Sequence, residues 1–183
     1  MSDPATRARR EAAIIAVMTF VGAVLRFWSP AHLGLTHFDE GIYAFAGRWS
    51  LVPKGLAEVG PELFAYAPPL YPILVGVAYV FLGMTDIAAI LVSQVNGVLT
   101  IPVVAWVARR SFGPGAGAAA SVLVALAGPH IAFSRMALTD STFLLMWTLS
   151  LGFGQRFLER PSLLRAIPLG LFVGLAQNTK YNG

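Results

Sequence analysis

The 183-residue chain has no cysteine and little charge: 12% of its residues are Asp, Glu, Lys or Arg, against about 25% in a soluble domain. The missing cysteine excludes disulfides, thiolate metal sites and a cysteine nucleophile, and leaves the compartment open. Nine acids face thirteen Lys and Arg, for a formal net charge of +4. Such an excess can serve nucleic acid, but here the basic residues are scattered at the ends of apolar stretches and form no dense patch interleaved with aromatics. Nucleic acid is therefore not an expected partner. Apolar residues take the place of charge, at 56% of the chain with a mean hydropathy of +0.68.

Several apolar runs reach the roughly 17–25 residues needed to cross a hydrocarbon core about 30 Å thick. They are continuous and do not alternate, which excludes a β-barrel and points to an all-α, polytopic transmembrane bundle. The N-terminus, "MSDPATRARREAAIIAVMTFVGAVLRFW", has the basic head and apolar body of a signal peptide. No small-x-small cleavage pattern follows before "RFWSP", so an uncleaved first helix over 11–28 is expected. The mixed segment 29–67, with Pro30, Pro53 and Pro61 and aromatics at amphipathic spacing, reads as a first external loop with juxtamembrane helical pieces. A short, proline-headed apolar segment follows at 68–84, then apolar segments at 86–110, 115–133, 140–160 and 166–181. No repeat of solenoid period is present.

Positive charge sets the expected orientation. Arg7/Arg9/Arg10, Arg109/Arg110 and Arg156/Arg160/Arg165 belong on the cytoplasmic side. If the first helix runs outward, only one net crossing fits between the loop 29–67 and Arg109, yet two apolar segments occupy that interval. The shorter, 68–84, is therefore expected to be juxtamembrane or re-entrant, and 86–108 to cross. The segment 115–133 then runs outward, 140–158 inward and 166–181 outward. This parity brings His32, His37, Asp39, Glu40, Arg135, Asp140 and Lys180 to the outer surface.

Within "THFDEGIYAFAGRW" (36–49), Asp39 and Glu40 are adjacent acids in a chain with few. Helical neighbours diverge by about 100°, so only one of them can face a given site. Asp39 shares its face with Tyr43, a candidate substrate contact, and Glu40 shares its face with Ala44. A solvated pair is the plain reading, but an acid at a membrane edge among aromatics is uncommon without a task, which favours Asp39. In "FSRMALTDSTF" (133–143), Arg135 reads as a snorkelling arginine and Asp140 as the N-cap of the next helix, roles compatible with a catalytic partnership. Lys180, in "QNTKYNG", reads as an interfacial lysine. Its place on the outward side departs from the positive-inside bias, and a bound anion would explain the departure. His32 and His37 lack a metal-binding spacing such as HExxH. His130, Gln94 and Asn96 are expected in contacts between helices, and the glycines of "GPGAGAAA" in close packing or a cytoplasmic turn.

"HFDEGIYAFAGRW", "APPLYPILVG", "SRMALTDSTFLL" and "GLAQNTKYNG", in that order, resemble the N-terminal half of the dolichyl-phosphate-mannose protein mannosyltransferase superfamily, which includes the lipid A aminoarabinose transferases. Each motif is weak alone; the ordered set is fairly specific. The resemblance implies a GT-C fold in the cell membrane, with an active site on the external face. It implies transfer of a sugar from a polyprenyl-phosphate donor to an external protein or glycolipid hydroxyl, with inversion. It also implies Asp39 as general base with Glu40 beside it and Asp140 as the acid of the second external loop. Arg135 and Lys180 are then the candidates for the donor phosphate. A divalent cation bridging Asp39 and Asp140 stays open, magnesium or manganese suiting hard oxygens and zinc suiting added histidine.

Two features depart from the pattern. Some relatives carry a lysine or histidine before Pro-Pro, where this chain reads Tyr66-Ala67-Pro68-Pro69, which leaves the phosphate to Lys180 or Arg135. Members also continue through many more helices, so 1–183 is expected to be the N-terminal part of a GT-C transmembrane domain. Two other classes compete. A transporter or flippase would place charges at mid-membrane or show inverted repeats, whereas these acids fall at helix ends or in loops. A non-catalytic assembly protein is the third.

Overall fold

The computed structural model describes residues 3–51 and 68–181. Eight α-helices are present among them: α1 (Pro4–Phe27), α2 (Phe38–Ser50), α3 (Leu70–Leu82), α4 (Asp86–Phe112), α5 (Ala116–Leu126), α6 (Gly128–Ser134), α7 (Asp140–Glu159) and α8 (Leu163–Gln177), with a 3-10 turn at Pro30–His32. No strand occurs among the described residues, and the protein is all-α as expected. The part of the expected loop that holds Pro53, Pro61, Tyr66 and Ala67 lies outside them. The long α4 is the hub: α1, α3, α5 and α7 pack around it, α8 lies on α7, and α2 lies on α3.

The first helix starts at Pro4, seven residues before the expected 11. Proline suits a first helical turn, where its missing N–H would have no partner anyway. Glu11 explains why the basic head is drawn into the helix. It is buried, accepts from the Gly117 N–H at 3.1 Å and pairs with Arg109 at 3.2 Å, tying α1 to α5 and α4. A Cβ at Gly117 would lie 2.8 Å from the Glu11 carboxylate and 2.9 Å from the Ala105 carbonyl, so this glycine serves close packing. Gly113 and Gly115, with φ of +88° and +89°, form the tight turn between α4 and α5. Arg110 pairs with Glu159 at 2.6 Å, and Arg165 donates to the Arg156 carbonyl at 2.8 Å. The three arginine clusters thus gather at one end of the bundle.

The segment expected as one helix over 115–133 is two, bent by 60° at Ala127. Pro129 has no N–H for the Ala125 carbonyl, and its ring crowds that carbonyl. Arg26 takes over: fully buried in the last turn of α1, it donates to the carbonyls of Ala125 at 3.3 Å and Val124 at 3.2 Å. Its remaining groups meet the Gly22 carbonyl at 2.9 Å, Ser134 Oγ at 3.3 Å and His130 Nδ1 at 2.6 Å.

Both ends of α3 lie at the opposite end of the bundle from the arginine clusters. The Leu70 N–H donates to the Asn178 carbonyl just beyond α8, at 2.9 Å. From Leu82 a short link leads to Asp86, whose carboxylate accepts the Leu35 N–H at 3.4 Å. This helix therefore runs along the rim. Among the described residues, α4 alone is long and apolar enough to cross a membrane, with the bent α5–α6 pair a second if it counts as one span. Fewer helices meet that test than the apolar runs suggested, because α1 and α7 carry Arg and Glu inside their ends and α3 and α8 are short.

Candidate functional site

The first turn of α2 answers why two acids stand side by side. His37 is the N-cap, and its Nδ1 accepts the Asp39 N–H at 3.2 Å. Glu40, three residues on, turns back: Oε2 accepts the His37 N–H at 2.8 Å and the Thr36 N–H at 3.0 Å, a capping box. Its other oxygen, Oε1, accepts the Ala137 N–H at 2.7 Å across the bundle. Glu40 is fully buried with both oxygens accepting backbone N–H groups, so it clamps α2 to the 135–139 turn. Asp39 diverges from it by about 100° and is half exposed. His37 Nδ1 lies 3.8 Å from Asp39 Oδ2, but that nitrogen accepts a hydrogen bond, so the contact is no ion pair.

The 135–139 turn is held from the other side by Arg135. Its Nη1 donates to the carbonyls of Trp28 at 2.7 Å, Leu25 at 3.2 Å and Arg26 at 3.3 Å, closing the carbonyl end of α1. The arginine expected to bind phosphate thus spends this nitrogen on the backbone. Ser93 Oγ donates to the Leu138 carbonyl at 2.9 Å and meets the Tyr71 hydroxyl at 2.8 Å, fixing the turn against α4 and α3. Asp140 is not the N-cap expected of it. Thr139 holds that position without a side-chain bond, and Asp140 is the first residue of α7. There its charge complements the positive end of the helix dipole. Its Oδ1 lies 3.0 Å from Lys180 Nζ, and both side chains are about 40% exposed.

Tyr43 stands between these groups. Burial raises its hydroxyl pKa above the usual 10.0; a polar contact with Thr139 and the charge of Lys180 lower it, and the charges of Asp39 and Asp140 raise it. Tyr43 also packs edge-to-face on Tyr71, with ring centroids 5.6 Å apart. Asp39, Tyr43, Asp140 and Lys180, carried by α2, the start of α7 and the segment after α8, therefore share one electrostatic neighbourhood on the rim away from the arginine clusters. His32 is apart from it, with Nδ1 2.6 Å from Ser29 Oγ. Among the described residues no group of three or more His, Asp or Glu could hold a metal ion.

Gln94 and Asn96 do serve contacts between helices: Gln94 Nε2 donates to the Arg26 carbonyl at 2.7 Å, and Asn96 Nδ2 to Thr142 Oγ1 at 2.6 Å. The residue that sequence reasoning missed is Arg26. A full positive charge inside an apolar run was the available signal.

Among the described residues the protein is all-helical, with one helix long and apolar enough to cross a membrane and with acids and a lysine gathered on one rim, an architecture that suits a helical membrane protein. Residues 66–183 match the family described as dolichyl-phosphate-mannose-protein mannosyltransferase, and the chain belongs to that family of GT-C-type membrane glycosyltransferases. Neither a curated protein nor a solved structure matches the chain. Arg135, Asp140 and Lys180 fall inside the matched residues, while Asp39, Glu40 and Tyr43 precede them.

Proposed function

We propose that this rim is the part of a sugar-transfer site that handles a polyprenyl-phosphate sugar, on the external face of a multi-pass membrane protein. The observation that carries the reading is the gathering of Asp39, Tyr43, Asp140 and Lys180 from three separate elements at the end of the bundle opposite the arginines. Transfer breaks the bond between the anomeric carbon and the phosphate oxygen. The departing phosphate gains charge that a cation must compensate, and Lys180 supplies it. An ion pair as exposed as Lys180–Asp140 is worth only about 0–1 kcal/mol, so the ammonium can turn from carboxylate to phosphate at little cost. Asp39 accepts the proton of the acceptor hydroxyl as that oxygen attacks the anomeric carbon from the face opposite the phosphate, which inverts the centre. Asp140 steers Lys180, Tyr43 contacts the substrate with a hydroxyl that stays neutral, and Glu40 and Arg135 hold the two loops in register. The acceptor is an external protein or glycolipid hydroxyl.

The test is transfer from a synthetic polyprenyl-phosphate sugar to an acceptor by the membrane-inserted protein. Asp39→Asn is expected to lose about 10²–10⁴-fold in turnover, the usual contribution of a general base, with insertion unchanged. Full turnover in that variant removes Asp39 as the base.

A further inference from the structure

The first turn of α3 takes no direct part in the proposed chemistry, yet it touches all three segments that carry the rim site. Pro69 is the N-cap, with φ of −68° and ψ of −23°, so Leu70 is the first helical residue and its N–H has no acceptor within its own helix. That N–H donates instead to the Asn178 carbonyl at 2.9 Å, two residues before Lys180. Pro72, in the same turn, has no N–H to leave unpaired. On its other flank the helix is pressed against α2: a Cβ at Gly76 would lie 2.8 Å from the Gly47 carbonyl, and the Ser50 hydroxyl shares its proton between the carbonyls of Gly47 at 2.9 Å and Pro72 at 3.1 Å.

Tyr71 reaches the other two segments. Its side chain is fully buried in one apolar cluster with Ala44 of α2, Ala89 and Ile90 of α4 and Ala137 of the 135–139 turn. The ring of Tyr43 stands edge-on to it, the two planes 76° apart. The Ser93 hydroxyl donates to the Leu138 carbonyl at 2.9 Å, which leaves its oxygen to accept; the Tyr71 hydroxyl donates to that oxygen at 2.8 Å, with the Ala89 carbonyl farther off at 3.3 Å. Leu138 lies two residues before Asp140. The Lys180–Asp140 pair is itself too exposed to fix its own geometry. Buried ties at Leu138 and Asn178 do so, and a misplacement of about 1 Å at a reacting centre costs on the order of 10²-fold in rate.

We infer that Tyr71 is a positioning residue for the rim site: its ring sets Tyr43, and its hydroxyl, through Ser93, sets the turn that leads into Asp140, while Leu70 beside it holds the segment that leads into Lys180. The inference rests on the sugar-transfer reading for what is positioned, and on these hydrogen bonds and ring contacts for what does the positioning. Because Asp140 steers Lys180, loosening the turn acts on the donor phosphate before it acts on the acceptor.

Amide hydrogen exchange and steady-state kinetics of the membrane-inserted 183-residue chain, with a synthetic polyprenyl-phosphate sugar as donor, test it. Tyr71→Phe keeps the ring against Tyr43 and removes only the hydroxyl. In this variant the amides of 137–141 are expected to exchange faster while those of α4 near Arg109 stay as in the wild type. The donor KM should rise by up to about tenfold, the factor that one neutral hydrogen bond supports, with the acceptor KM unchanged. A merely structural tyrosine would instead lower the maximal rate through loss of folded protein and leave both KM values alone. Ser93→Ala breaks the same link from the other side, so it should reproduce both effects, and the double variant should add nothing beyond Ser93→Ala alone. Unchanged exchange at 137–141, equal rises in the two KM values, or additive effects of the two substitutions overturn the assignment. A wild type that transfers no sugar counts against the sugar-transfer reading instead, and the exchange measurement then still decides whether Tyr71 holds the turn.

Discussion

Glu40 and Asp39 diverge within one helical turn, the first buried and the second half exposed. Glu40 accepts backbone N–H groups from Thr36, His37 and Ala137, and a hydrogen bond to a charged group contributes about 1.5–3 kcal/mol. Glu40→Ala is expected to lower the unfolding midpoint in detergent and to cut transfer together with it, whereas Asp39→Asn should cut transfer alone. Parallel melts and assays of the two variants separate the roles. Lys180→Met should raise the KM for the polyprenyl-phosphate donor more than that for the acceptor, since in the proposed site it removes the cation assigned to the phosphate; equal rises would place Lys180 elsewhere. Burial holds Tyr43 above 10.0, so its neutral form is the one the fold favours, and that preference is lost only as pH rises past its raised value. Tyr43→Phe should therefore leave the shape of the pH–rate profile unchanged through neutrality; a limb that vanishes in this variant contradicts the sign. At this scale the sequence was partly legible. The divergence of Asp39 from Glu40 follows from helix geometry alone, but which of the two was buried depended on Ala137, ninety-seven positions away.

Among the helices, the sequence announced positions better than joints. The starts of α3, α4 and α7 fall within two residues of the expected 68, 86 and 140, because proline, threonine and aspartate mark them. The break between α5 and α6 was hidden, although Pro129 was visible, because a proline inside an apolar run is as often a kink as an end. Its stabilisation comes from Arg26 on another helix, which no local pattern reports. Arg26→Met is expected to cost about 2–3 kcal/mol by orphaning carbonyls in an apolar setting, read as a lowered melting temperature. Ser134→Ala, which removes one partner and leaves the carbonyl contacts, should cost less; the reverse order would show that the carbonyls do not need the guanidinium. On the α4–α7 seam, a Cβ at Gly152 would collide with the Trp106 ring. Gly152→Leu should overpack it and destabilise the protein by about 1–3 kcal/mol.

For the whole molecule, the arrangement is two ends of opposite character. Arginines from α1, α4, α7 and the start of α8 collect at one end with Glu11 and Glu159 as partners. Asp39, Asp140 and Lys180 collect at the other. The segregation was legible from the arginine clusters because charge near helix ends reports orientation, and the short α3 kept the parity by running along the rim. The family accounts for residues 66–183, so the placement of Asp39 in the same neighbourhood of Tyr43 as Asp140 rests on the folded chain and on the ordered motifs. Because the chain lacks cysteine, single cysteines at Asp39, Lys180 and Arg165 can be probed in intact cells with an impermeant thiol reagent, without background from the protein. The account predicts that Asp39→Cys and Lys180→Cys react from outside and that Arg165→Cys reacts only after permeabilisation. Reaction of Asp39→Cys and Lys180→Cys from opposite sides of the membrane would contradict it.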